Sequence, residues 1–158
     1  MPAAAHPRAA HAAWYPASVN LREALAAICR QFEVEALYVF GSRAAEVFAC
    51  VQGLGALASS TSDVDVGVLP MSSRLSDPRE RVRLADAMEH LLGGPRVDLV
   101  MLPEADPYLA LDVVSGELLY CADAVRQAEY ELYALRRAGD LAPFERERRA
   151  LLLTGSTP

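Results

Sequence analysis

Apolar residues recur along this chain in two rhythms, and the alternation between them predicts its elements. Leu21, Leu25, Ile28 and Phe32 fall three or four apart, one face of a helix, with Asn20 as N-cap and Glu23 placed for a capping box. The run Glu35 to Phe40 reads as a strand and breaks into Gly41-Ser42, a turn where a missing Cβ lets backbone approach a ligand. Ala44 to Thr61 reads as a short helix through Val47, Phe48 and Val51, then a loose glycine- and serine-bearing loop. Ser62 to Val68 follows as a strand of period two, with Val64, Val66 and Val68 on one face and Asp63 and Asp65 on the other.

Asp77, Pro78 and Glu80 are an N-cap, an N1 proline and an N3 acid, opening a helix expected to run to Leu92 and to end at Gly93-Gly94. Val97 to Leu102 has the β-branched, apolar character of a central strand, with Asp98 its only charge. A further helix is expected from Asp106-Pro107 to Gly116, a short strand over Glu117 to Tyr120, and a helix from Asp123 to about Arg137 whose apolar line is Val125, Ala128, Leu132 and Leu135. A separate last helix is expected within Leu141 to Leu153, its apolar edge needing a partner surface. The alternation of helices and strands, without internal repeats, predicts an α/β or α+β domain with a small mixed sheet flanked by helices.

Composition narrows the picture. The 158 residues suit one domain with a real core. A net charge of −6, with all 15 basic residues Arg, argues against a surface that grips nucleic acid by neutralising phosphates. Cys29, Cys50 and Cys121 are far apart and odd in number, which fits a reduced, cytoplasmic protein with cysteines in its core. Residues 1–18, rich in Ala, Pro and His, lack signal-peptide organisation and read as a disordered arm; His6 and His11 within it are expected to be solvated rather than metal-bound. No segment is long and apolar enough to span a membrane.

The candidate chemistry lies on the two acidic strands. Side-by-side carboxylates raise each other's pKa unless a cation sits between them, and a hard divalent ion resolves the conflict; Mg²⁺ uses one or two carboxylates and completes its shell with water and phosphate oxygens. Asp63 and Asp65 supply such a pair and Asp98 one more acid. The N–H groups after Gly41 can face phosphate, with the Ser42 hydroxyl and the Arg43 charge beside them.

Phe40-Gly41-Ser42-Arg43-Ala44, then Ser62-Asp63-Val64-Asp65, then Val97-Asp98-Leu99 resemble the nucleotidyltransferase superfamily that includes DNA polymerase beta, and especially its minimal (MNT) branch; Val114 to Tyr120 is similar to a later segment of that branch. The resemblance covers about Asn20 to Pro143 and implies a minimal nucleotidyltransferase domain over 19–143, followed by a C-terminal helix or tail, 144–158, suited to binding a partner. It implies that Gly41 and Ser42 cradle the triphosphate of ATP, with Arg43 either a further nucleotide contact or a surface salt-bridge partner. It implies that Asp63 and Asp65 hold two Mg²⁺ ions, and that Asp98 binds the second and helps deprotonate the acceptor hydroxyl. The chain departs from its relatives in the long segment between Ser42 and Asp63, where Ala45-Glu46-Val47-Phe48 replaces a basic, glycine-containing continuation; either the turn is displaced or the extra apolar residues form a lid or an interface. Proteins this small resemble the antitoxin half of HEPN/MNT toxin–antitoxin pairs, in which AMP passes from ATP to a tyrosine of the HEPN ribonuclease toxin. The first expectation is therefore a Mg²⁺-dependent protein adenylyltransferase acting as antitoxin. An antitoxin that neutralises its partner by binding stands second, and a small-molecule nucleotidyltransferase third.

Overall fold

A computed structural model describes residues 20–154. The expected arm at 1–18 lies outside the described residues. The elements follow in the order α1 (Leu21–Gln31), β1 (Val34–Phe40), α2 (Ala44–Val51), β2 (Val64–Pro70), α3 (Pro78–Leu92), β3 (Val97–Met101), α4 (Pro107–Val114), β4 (Glu117–Cys121) and α5 (Ala124–Thr154), with 3₁₀ turns at Ser73–Ser76 and Leu102–Glu104. Capping residues set the helix starts as the sequence predicts. Asn20, Asp77 and Asp106 each accept a backbone N–H from the first turn of α1, α3 and α4, and Gly93 ends α3 in the left-handed conformation at φ +86°.

The four strands form one mixed sheet in the order β3-β2-β1-β4, with β1 antiparallel to both neighbours and β2 parallel to β3. β3 therefore stands at an edge, not at the centre that its apolar run suggested; its middle residues are only half-buried. Two apolar layers clamp the sheet. Leu37, Val39, Val64, Val66 and Val68 face a core closed by Leu25, Val47, Val51, Leu84 and Met88 from α1, α2 and α3. Ala36 and Tyr38 face the other way, against Ala110 and Val113 of α4 and Ala134 of α5. α4 sits so close to β2 that a Cβ on Gly67 would lie 2.0 Å from Val113 Cγ1.

α5 departs from expectation twice. It is one helix of 31 residues that runs through Pro143, rather than two helices meeting near 140. The ring removes one N–H from the ladder there, but Leu141, Ala142, Glu145 and Arg146 around it are strong helix formers. Its packed face is also not the apolar line. Gln127, Ala134 and Ala138 are buried, Tyr130 and Glu131 half-buried, and Val125, Leu132 and Leu135 point to solvent. A polar network draws that face down: Tyr38 Oη donates to Glu131 and accepts from Gln127 Nε2 at 2.8 Å, Arg126 lies 3.3 Å from the buried Glu35, and Tyr130 Oη donates to the Leu102 carbonyl at 2.9 Å. No helix among the described residues is long and apolar enough to cross a membrane.

Candidate active site

The acidic residues meet at one corner of the sheet because of strand register. Phe40, the last residue of β1, is paired with Asp65 on β2, and Asp65 is paired in turn with Asp98 on β3. Neighbouring parallel strands in register present paired side chains on one face, so Asp65 and Asp98 stand side by side. Asp63 lies just before β2, two residues from Asp65 and on the same face. Val64 and Val66 between and beyond them are wholly buried on the opposite face.

Electrostatics marks the cluster as a place that lacks positive charge. Partial burial, first, and then the negative charges of Asp98 and Asp63 raise the Asp65 carboxyl above the usual carboxylate range. One cation is already at hand. Arg96 Nε lies 3.4 Å from Asp98 Oδ1 and 3.9 Å from Asp63 Oδ2, while Asp65 has no such ion pair among the described residues. Sequence reasoning passed over Arg96, although it lies two residues before Asp98 and so shares its face by the period of a strand.

Gly41 closes the corner. It follows β1 at φ +76°, a conformation that side chains rarely adopt, and a Cβ there would come within 2.6 Å of Asp65 Oδ2. Backbone and carboxylate can approach only because that Cβ is missing. Ser42 is exposed beside it, and α2 begins at Ala44. The structure thus brings Gly41, Ser42, Asp63, Asp65 and Asp98 to one place.

Arg43 is turned elsewhere. It is 5% exposed, and its guanidinium donates to Glu46 Oε2 at 3.1 Å, to the Ser62 carbonyl at 3.1 Å and to the Ala58 carbonyl at 3.0 Å. Glu46 also accepts the Ala58 N–H. Arg43, open in the sequence between a nucleotide contact and a salt-bridge partner, here ties the long 52–63 segment to the start of α2 and holds the carbonyl next to Asp63. The i, i+3 spacing of Arg43 and Glu46 was the available signal. The segment from 44 to 61 turns apolar residues inward, with Val47 and Val51 buried in the core and Phe48 and Leu57 packed against it. It lines a hollow of about 260 Å³ with Leu92 to Pro95, and a second hollow of about 180 Å³ lies between the Leu102 turn and α5; neither touches the carboxylates.

A hard divalent cation fits this donor set. Three carboxylates share one corner, and a glycine cradle leaves room beside Asp65. Among the described residues no three acid, His or Cys side chains converge into a ready cage. Mg²⁺ does not require one, since water and phosphate oxygens complete its shell.

A family model described as "Polymerase beta, Nucleotidyltransferase" matches residues 23–125. No curated protein matches the chain in sequence. Among solved structures, a mutant toxin–antitoxin MntA-HpeT complex is similar at 20% identity, covering 86% of this chain and 98% of that chain, with a TM-score of 0.62. A toxin–antitoxin structure with AMP-PNP is similar at 24% identity, covering 86% and 98%, with a TM-score of 0.59. An MNT antitoxin in complex with the tri-AMPylated HEPN toxin of Shewanella oneidensis is similar at 23% identity, covering 87% and 97%, with a TM-score of 0.56. Likeness at these identities is likeness of fold.

Proposed function

The chain belongs to the polymerase beta nucleotidyltransferase family, and from that premise we propose that it transfers AMP from ATP to a tyrosine hydroxyl of a HEPN-type toxin, acting as the antitoxin. The observation that carries this reading is the register of Asp65 with Asp98 beside the Gly41 cradle, with Asp63 on the same face. The fold is that of the antitoxin found with a tri-AMPylated HEPN toxin, and of a toxin–antitoxin structure that binds AMP-PNP. The corner is also open: the side chains of Asp63 and Asp98 are 38% and 49% exposed, which suits an acceptor hydroxyl carried on another protein better than a small molecule enclosed in a pocket.

In this reading Asp63, Asp65 and Asp98 hold Mg²⁺, and Gly41 and Ser42 hold the triphosphate. Bound Mg²⁺ would supply the charge that stabilises the attacking and leaving oxygens of an in-line displacement. The acceptor oxygen bonds to the α-phosphorus, the bond to pyrophosphate breaks, and Asp98 takes the hydroxyl proton at a carboxylate oxygen. Asp65, raised by partial burial and then by its neighbours, and without an ion pair among the described residues, gains most from the cation. Arg43 holds Ser62, and through it Asp63, in place rather than touching the nucleotide.

A second reading, neutralisation by binding alone, is favoured by Arg96, which already engages Asp63 and Asp98. One experiment separates the two. ATP labelled at the α-phosphate is offered with Mg²⁺ to the wild type and to Asp63→Asn/Asp65→Asn, in the presence of the helical HEPN-type partner. Label on the partner is expected with the wild type, and a loss of several decades in rate with the variant, at ~1.4 kcal/mol per decade. A stable complex without label would replace the transferase with the binding antitoxin.

A further inference from the structure

The apolar line of α5 that the fold leaves outside has the spacing of a helix–helix seam. Val125, Ala128, Leu132, Leu135, Gly139 and Ala142 follow one another at alternating steps of three and four, the a and d positions of a heptad. Val125, Leu132 and Leu135 are 68%, 53% and 52% exposed, and Ala128 and Gly139 are exposed between them. The seam lies beside the face that packs on the sheet, where Gln127, Ala134 and Ala138 are buried. It stops at Pro143, which interrupts the hydrogen-bond ladder. Over these 18 residues the helix is about 27 Å long.

The line matches its own reverse. Laid antiparallel on a second copy, it pairs Leu132 with Leu135, Ala128 with Gly139 and Val125 with Ala142, each a position meeting a d position. Large residues meet at the centre. The small pair Ala128/Gly139 on either side lets the backbones come close. The flanking charges agree with this register. Glu129 and Arg136 occupy the e positions, both exposed and neither in an ion pair among the described residues. Antiparallel packing sets Glu129 of each copy against Arg136 of the other, twice by symmetry. A parallel pair would instead need Glu131 opposite Arg136, and Glu131 is already bound to Tyr38 and Gln127 within the chain.

We propose that the exposed heptad line of α5 is an isologous interface on which two copies of this chain pair as antiparallel helices, with Leu132 and Leu135 at its centre and reciprocal Glu129–Arg136 contacts at its edge. This interface lies apart from the carboxylate corner and does not depend on the reaction assigned there.

Sedimentation of the full-length protein tests the pairing, and charge reversal tests its register. The wild type is expected to be a dimer, and Leu132→Asp/Leu135→Asp, both at exposed positions, a folded monomer by circular dichroism. Glu129→Arg or Arg136→Glu alone should weaken the dimer about tenfold, and the two together should restore it. Ala128→Cys/Gly139→Cys should cross-link two chains under mild oxidation, while Ala128→Cys alone should not, because two copies of one position do not meet in an antiparallel pair. A wild type that stays monomeric, a dimer indifferent to charge reversal, or cross-linking by the single cysteine would each overturn the proposal. So would a seam covered only when a different helical protein is added.

Discussion

At the scale of single residues, Asp65 carries the electrostatic argument. Its carboxyl is held above the usual range by partial burial and by Asp98 and Asp63, so the ionised form is less favourable in the folded chain than in the unfolded one. At neutral pH that ionised group subtracts from stability, and the subtraction fades as pH falls from the raised folded value to the ordinary carboxylate value, below which it is gone. Asp65→Asn should therefore raise the Tm of the metal-free protein at pH 7 while abolishing the further rise that Mg²⁺ gives the wild type. A lower Tm without metal would mean that Asp65 is held by contacts other than its charge. Glu46 has the opposite sign. The Arg43 guanidinium, and then the Ala58 N–H, hold its carboxyl below the usual range, so it contributes stability above its unfolded pKa that is lost as pH falls through the lower folded value. Limited proteolysis across 52–62 should accelerate below about pH 4, and Glu46→Gln should cut readily at pH 7 as well. These two acids also mark what the sequence disclosed. The period of two placed Asp63 and Asp65 on one face directly. Arg43 stays open in the sequence between a phosphate contact and a salt-bridge partner, because a cation after Gly-Ser suits either whether it points out or in, and the packing of the 52–63 segment turns it inward.

At the scale of elements, helix starts were legible because they depend on local chemistry: Asn20, Asp77 and Asp106 cap the helices they precede. Strand position was less so. An apolar run such as Val97 to Met101 is compatible with the centre or the edge of a sheet, and strand order is set by pairings between distant residues. The close seat of α4 on β2 had a faint signal in Gly67, a glycine inside a strand, which often marks a close approach. Gly67→Ala places a Cβ 2.0 Å from Val113 Cγ1, so α4 must shift. Unfolding in urea should show a loss of about 1–3 kcal/mol, and Gly67→Ala/Val113→Ala should recover part of it. An unchanged midpoint for the single variant would mean that α4 is not clamped there.

At the scale of the whole molecule, α5 divides its surface between tasks, a division the sequence hid by offering an apolar line where the fold buries a polar one. Its first part packs on the sheet through Gln127, Tyr130, Ala134 and Ala138, and its outer line forms the seam that ends at Pro143. Beyond Pro143, Phe144, Leu151, Leu152 and Leu153 are exposed beside arginines, and none of the described residues 144–153 is fully buried. Large apolar groups left outside on a terminal helix favour a partner's surface over a contribution to the core. Removing residues 143–158 should therefore leave the Tm nearly unchanged and keep the response of the Tm to Mg²⁺, which reports the carboxylate corner. It should also preserve self-association, which depends on 125–142, and abolish capture of the HEPN-type partner. Calorimetry, sedimentation and co-purification on the same truncated chain read these properties separately. A fall in Tm would assign the tail to the core, and retained capture would move the partner's footprint from the tail to the sheet corner.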